Sequence, residues 1–470
     1  MPELSFAEMP ILRQLVYHTG RFQIPMHVPG HKQGRLLPGE LGQWFAAAGK
    51  LDLTELPGLD NLHLPEGCIL ESEQKAAAFY GADKAYYSVN GSTAAVMAAI
   101  LAVGGDKGKV LFLNSPHLSA WRGLVLADAN AVFAPVQFDA FHLTEQAPDL
   151  GTLEKLLERE RFDCVFVTSP TYTGVISPVA QIAQLVHRFH TPLVVDEAHG
   201  AHLGLTPDLP PHSIQAGADV VVHSVHKMLP GLTQTAWLLC QGDLVHGEQV
   251  ESTLSLLQTT SPSYLLLASL DAVQAWLRIE GKDRVNQGLQ NLIQLSDLPH
   301  RQDLKYRDPF RDWVPTGNLE QSRDLQNALA KQGIAVEYAD AFGVLSLFAL
   351  DAPHRELTLY REVLLNWLSS RPPVNSRIAT VLFSALGVER RNQLSFRAAY
   401  FGHPRWVTRE EAIGQLCARP ITPYPPGVPL LWPGQEITAF AAEVLDMLQQ
   451  GGYEVHGLNP RGELPVLTGL

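Results

Sequence analysis

The sequence predicts an α/β protein: a mainly parallel sheet with helices on both faces, followed by a smaller α+β region. Two observations predict it. Between about residues 85 and 240, short apolar runs alternate with stretches whose apolar residues recur at helical spacing. After about residue 285 that alternation ceases, and strand-like and helix-like runs follow in a looser order. With 470 residues, 46% of them hydrophobic and 18% charged, the chain is long and apolar enough to bury a core in more than one folded region.

In chain order, the first 40 residues are rich in Pro, Gly and His and read as an arm that packs on another surface. Strands are expected at Ala85–Val89, Val110–Leu113, Val165–Thr168, Leu193–Val195, Val220–Val222 and Ala236–Cys240, where β-branched and other apolar residues run together between turn signals. Helices are expected at Ser92–Val103, Leu150–Arg159 and Val179–His190. Further on, Ile334–Tyr338 and Val344–Ala349 read as strands, Glu356–Ser369 and the stretch near Ile437–Gln450 as helices. The Pro-rich run 420–429 reads as a rigid turn without a catalytic role. The expected division is therefore an arm at 1–40, a large domain at 41–285 and a C-terminal α+β domain at 286–470.

Composition narrows the function. Thirty-five Lys and Arg stand against 48 Asp and Glu, a net charge of −13, and no basic run interrupts that balance. Such a chain is poorly suited to nucleic acid or to an anionic membrane surface. No apolar run approaches the roughly 18 residues of a membrane span, and the acidic start lacks the features of a secretory signal. Cys68, Cys164, Cys240 and Cys417 are scattered without CxxC spacing, so neither a disulfide framework nor structural zinc is expected, and a reducing cytoplasm is the natural setting.

Three features at the ends of expected strands carry chemistry. At Val89-Asn90-Gly91-Ser92-Thr93 a strand gives way to a helix; Gly91 lets the backbone approach an anion, and Ser92 and Thr93 add hydroxyl donors to the exposed amides of the helix start. The same pattern also serves as an ordinary helix cap. Asp196 follows the apolar run Leu193–Val195, where a sheet of this kind meets its ligand and where a carboxylate can pair with the nitrogen of a pyridine ring. Capping, or metal ligation with His199 and His202, are the competing readings. Lys227 follows Val220–Val222 and sits among His, Ser, Met and Pro; most lysines in such a place are solvated, but a desolvated one would carry a neutral amine able to form an imine. Ser224, three residues earlier, offers another hydroxyl to a phosphate. Taken together, a phosphate loop, a strand-end Asp and a strand-end Lys 31 residues later are what pyridoxal 5'-phosphate requires of a fold-type-I enzyme.

At these residues the sequence resembles the bacterial ornithine/lysine/arginine decarboxylases of fold type I, especially their short biosynthetic-type members. The likeness runs through His27-Val-Pro-Gly-His31-Lys32, Leu62-His63-Leu-Pro65-Glu66-Gly67, Asn90-Gly91-Ser92, Thr168-Ser-Pro-Thr-Tyr172-Thr-Gly174, Asp196-Glu-Ala-His199-Gly-Ala-His202, Ser224-Val-His226-Lys227, Thr259-Thr260-Ser261 and the 423–429 run. It implies that Lys227 is the lysine that binds the cofactor and Asp196 the partner of its pyridine nitrogen. It implies phosphate-side contacts at Ser92, Thr93, Ser224 and His226, with Gly91 giving the backbone room. It places His117 over the cofactor ring, Ala198 and His199 near the opposite face, and Thr260 and Ser261 toward the phosphate of a neighbouring subunit. His27 and His31 are read as packing and interface residues, because Pro29 and Gly30 break the helix an HxxxH metal site would use.

The resemblance implies decarboxylation of a basic amino acid, arginine ahead of lysine and ornithine, to a polyamine precursor and CO2. It also implies a homodimer or a pair of dimers with the active site at the interface; the domain resembling a response regulator, found in longer members, has no place in this chain. The sequence departs from the family at Leu118, where a basic residue is common, and at Asp60-Asn61, where two acids are common. A pyridoxal-phosphate-binding protein that has lost turnover is the alternative reading.

Overall fold

A computed structural model describes residues 5–21, 24–301, 306–369, 377–424, 429–450 and 452–468. The chain folds into two compact units interleaved in sequence: one draws on 1–99 and 197–285, the other on 100–196 and 286–470.

The first unit carries three strands. Ala236–Cys240 lies between Lys84–Ser88 and Val220–Ser224 and is antiparallel to both. Its outer two strands therefore run the same way, and Ser88 and Ser224 both stand opposite Ala236. The carboxyl ends of these two strands are thus brought to one end of the sheet, and each leads directly into a helix: Gly91–Gly104 after the first, the single turn Val225–Met228 after the second. All three strands are apolar and buried along almost their whole length, as expected of strands covered on both faces.

The N-terminal segment includes a helix. Residues Pro10–Arg21 form a helix that packs against the helices Cys68–Tyr80 and Tyr264–Trp276 of the same unit. Asp271 fixes it, accepting the N–H groups of Ile11 and Leu12 at 2.9 and 3.0 Å with one carboxylate oxygen and the Ser72 hydroxyl at 2.6 Å with the other. These are donors that the first turn of a helix cannot satisfy internally.

The second unit holds the parallel sheet. Leu193–Asp196, Cys164–Thr168, Lys109–Phe112 and Asn130–Phe133 lie side by side in that order, all parallel, with Arg390–Arg391 antiparallel at the edge. Helices such as Leu150–Arg159 and Val179–His187 supply the crossovers that parallel neighbours need. A second, antiparallel sheet of Arg311–Pro315, Gly343–Leu347 and Tyr338–Ala339 supports the C-terminal part, with the helices Leu319–Lys331 and His354–Leu368. Trp313, Phe342, Leu345, Ile421, Leu445 and Val466 are among the side chains that fill its core.

The strand expected at Ile334–Tyr338 shrinks to Tyr338–Ala339. The reason is local: Gly333 takes φ +78° and the Ile334 N–H bonds back to Leu329 O at 3.1 Å, so this segment still closes the preceding helix. Part of the 420–429 turn, residues 425–428, lies outside the described residues. The four cysteines are buried thiols, and no helix among the described residues is long and apolar enough to cross a membrane.

Candidate active site

The first unit contains most of the residues singled out in the sequence. Because Ser88 and Ser224 end two strands that run the same way on either side of Ala236–Cys240, the turn after one meets the turn after the other. Ser224 Oγ donates to Ser92 Oγ across 2.5 Å. Between them stands Gly91 at φ +73°, a left-handed backbone that favours glycine; a β-carbon there would have only Gln234 O within 4 Å, at 3.9 Å, so the cradle beside it is open. Gln234 shapes this turn, its Nε2 donating to Val89 O at 2.5 Å, while Gln258 Oε1 accepts the Val89 N–H at 3.0 Å. Neither glutamine was singled out in the sequence; each holds a backbone group rather than forming a pattern.

Lys227 sits on the single turn that follows Val220–Ser224, and its Nζ is 2.9 Å from Nε2 of His199. The expected desolvation is not found: in the single chain Lys227 is exposed, while its neighbours Val225 and Met228 are buried. The turn is too short to cover its own third side chain. His226 is half-buried and donates through Nδ1 to Thr235 O at 3.0 Å. Ala198 is buried and lies in the same loop as His199. Thr260 and Ser261 are exposed, in a segment tied down at Thr259, whose carbonyl accepts from His63 Nε2 at 2.8 Å.

Asp196 and His117 belong to the second unit. Asp196 is the last residue of Leu193–Asp196, is buried at 4% exposure, and pairs in register with Thr168. His117 caps the helix Leu118–Ala127, its Nδ1 accepting the Ser119 N–H at 3.1 Å, and its ring is exposed. The loop before it is held by Asn114, whose amide exchanges hydrogen bonds with the backbone N–H and C=O of Thr168 at 2.9 and 2.7 Å. His117 and Asp196 therefore follow the same, carboxyl ends of the parallel strands, where open α/β sheets bind ligands.

His27 and His31 make no metal site. His31 Nε2 bonds to Asp52 Oδ2 at 3.0 Å and His27 Nδ1 to Val28 O at 2.6 Å. Among the described residues no three His, Cys, Asp or Glu side chains gather as metal ligands.

The donor set suits pyridoxal phosphate. Two converging hydroxyls, the amides of a helix start and a glycine that leaves the approach open are the donor types a phosphate cradle uses, and an amine stands three residues from one of those hydroxyls. This defines the class: an enzyme of fold type I that uses pyridoxal phosphate.

Comparison with known proteins gives the family. Residues 9–318 match Orn/Lys/Arg decarboxylase, major domain, and residues 390–460 match Orn/Lys/Arg decarboxylase, C-terminal domain. Arginine decarboxylase of Bacillus anthracis is 31% identical, over 97% of this chain and 96% of its own length. Arginine decarboxylase of Bacillus subtilis (strain 168) is 30% identical, over 93% and 92%. In fold, the chain is similar to lysine decarboxylase A from Pseudomonas aeruginosa, with a TM-score of 0.79 at 19% identity over 97% of this chain and 80% of that one. The constitutive lysine decarboxylase of E. coli gives 0.76 at 20% identity, over 97% and 81%. The chain belongs to the Orn/Lys/Arg decarboxylase family and is a pyridoxal-phosphate-dependent amino-acid decarboxylase acting on basic amino acids.

Proposed function

We propose that this chain decarboxylates L-arginine, releasing CO2 and the corresponding amine as a polyamine precursor, with Lys227 as the residue that holds the cofactor covalently. The observation that carries the reading is the placement of the Lys227 amine beside His199, one turn after the paired hydroxyls of Ser224 and Ser92. The near full-length likeness to arginine decarboxylases favours arginine over lysine and ornithine.

When bound, pyridoxal phosphate supplies an electron-accepting ring that makes the Cα–carboxylate bond of an amino acid labile. Ser92, Thr93, Ser224 and the amides opening Gly91–Gly104 hold its phosphate, with His226 on the same side. Asp196 would pair with the pyridine nitrogen and keep it protonated. His117, Ala198 and His199 would contact the ring. A site that held the substrate with its carboxylate aligned for cleavage would favour CO2 loss over proton loss at Cα. Lys227 would hold the cofactor and would be the group placed to return a proton to Cα.

The proposed assembly is a homodimer or a pair of dimers, in which Thr260 and Ser261 reach the phosphate of the neighbouring subunit. Exposed apolar side chains near the N-terminus, Met26 at 88% and Trp44 at 84% exposure among them, support a covered surface there. A cytoplasmic location accords with the four buried thiols.

Incubation with arginine, lysine and ornithine, with CO2 and amine products measured, tests the reading. Turnover of arginine at the highest kcat/KM supports it. Covalent cofactor without CO2 from any of the three contradicts it and identifies a binding protein instead.

A further inference from the structure

Directly after Asp196 in sequence comes Glu197, a carboxylate with 1% exposure that no role above uses. Its Oε2 is 2.7 Å from Nε2 of His223, which is completely buried. Its Oε1 accepts the Ser213 hydroxyl at 2.6 Å and the Ser213 N–H at 3.1 Å. Three segments of chain thus converge on one buried carboxylate. His223 Nδ1 meets no hydrogen-bond partner among the described residues. An unpartnered lone pair is cheaper to bury than an unpartnered N–H, so Nε2 is the nitrogen that donates to Glu197.

A buried Glu–His pair is often no more than a structural tie. Here its position in the chain says more. Glu197 stands two residues before His199; His223 stands one residue before Ser224 and four before Lys227. The loop that carries His199 is held a second time by Tyr80, whose hydroxyl donates to Ala201 O at 2.8 Å and whose ring lies edge-on to His223 at 4.8 Å. Tyr80 also meets the buried His212 at 5.0 Å. The Lys227–His199 contact at 2.9 Å thus joins two segments of chain that also meet at the buried Glu197–His223 pair.

We propose that Glu197 and His223 are positioning residues for Lys227, a buried strut that ties the loop of His199 to the strand Val220–Ser224 and so sets the imidazole opposite the lysine amine. The inference rests on the reading of Lys227 as the cofactor-bearing residue. Glu197 and His223 touch neither cofactor nor substrate in it; they act through His199 and Lys227.

The test titrates pyridoxal phosphate into the apo-protein, reads the visible band of the covalently held cofactor and its dependence on pH, and records thermal stability in parallel. Glu197→Ala and His223→Ala are expected to weaken cofactor binding about tenfold or more and to shift the pH midpoint of the band, because the amine loses its fixed neighbour. His223→Gln, whose amide can donate in place of Nε2, is expected to stay within about threefold of the wild type. Ser213→Ala removes one hydroxyl and is expected to give a smaller change in the same direction. Alanine variants that lose only thermal stability, with affinity and midpoint unchanged, overturn the strut. Where those variants do not fold, Ser213→Ala decides: an unchanged midpoint and affinity overturn the proposal, and a shift supports it. A wild type that never forms the covalent band overturns the reading of Lys227 itself, which separates that failure from a failure of the strut alone.

Discussion

The Nζ of Lys227 and the Nε2 of His199 face each other across 2.9 Å. At that distance one nitrogen donates and the other offers a lone pair, since two N–H groups pointed at each other repel. The imidazole of His199 thus gives the Lys227 amine a fixed neighbour. The contact orients the Lys227 side chain, which suits the cofactor-bearing role proposed for it.

The hydroxyl pair of Ser92 and Ser224 yields the first prediction. Ser224→Ala removes one donor to a dianionic phosphate and is expected to weaken pyridoxal phosphate binding about tenfold, the size of one charge-assisted hydrogen bond. Gly91→Ala has room for its methyl group but must hold φ +73°, at a cost of about 1–2 kcal/mol in folding stability. Cofactor titration and urea denaturation check the two effects separately. Wild-type affinity in Ser224→Ala would remove this hydroxyl from the phosphate site.

Glu73 makes folding sensitive to alkali. Burial pushes its carboxyl up to about 8, against the N–H of Tyr87 that its Oε1 accepts at 2.8 Å. In the folded chain the group holds its proton over a range where the unfolded chain has lost it. Its contribution to stability is therefore full below the ordinary value of 4.5 and declines as the pH rises toward about 8. Glu73→Gln keeps an oxygen for the Tyr87 N–H and has no proton to lose. Relative to wild type it is expected to gain on the order of 1–3 kcal/mol between pH 5 and pH 8. Denaturation curves at the two pH values read this, and parallel behaviour of both proteins would contradict it.

In the second unit, Asp312 is the hub on which His300, Arg301 and Tyr360 converge, at 3.1, 2.7 and 2.8 Å. Burial raises its carboxyl, but the charges and hydrogen bonds of His300 and Arg301 outweigh that and hold it below the usual carboxylate range. Its contribution is present above the unfolded carboxylate value and is lost as the pH falls through the depressed one. Asp312→Ala leaves a buried guanidinium unpaired and is expected to cost about 3–5 kcal/mol. Tyr360→Phe, which removes one neutral donor, is expected to cost about 1 kcal/mol. Equal small losses in both would show that the hub carries little charge.

Much of this was legible in the sequence where a residue's role shows in its own type and neighbours. Gly91 at a strand-to-helix turn, Asp196 ending an apolar strand and Lys227 closing another were visible because apolar runs mark strands and polar residues at their ends stand out. The strand Asn130–Phe133 was not expected, being four residues with one β-branched member. Arg311–Pro315 begins with two charges and reads as a loop, yet it is wholly buried because Asp308 pairs with Arg311 and Asp312 has the partners above. Long-range pairing rescued a strand that local composition disguised. The strut of Glu197, His223 and Ser213 escaped for the same reason: its members are 10 to 26 residues apart in sequence and meet only after folding. The exposure of Lys227 also lay beyond sequence, which shows the apolar strand before it but not what covers the turn after.

Reductive trapping tests the central claim most directly. The protein is loaded with pyridoxal phosphate, treated with borohydride, digested, and its modified peptide identified by mass spectrometry. The account expects the cofactor fixed on the peptide containing Lys227, no modification in Lys227→Ala, and loss of arginine turnover in that variant. Trapping on a different lysine, or an undiminished covalent band in Lys227→Ala, would contradict it.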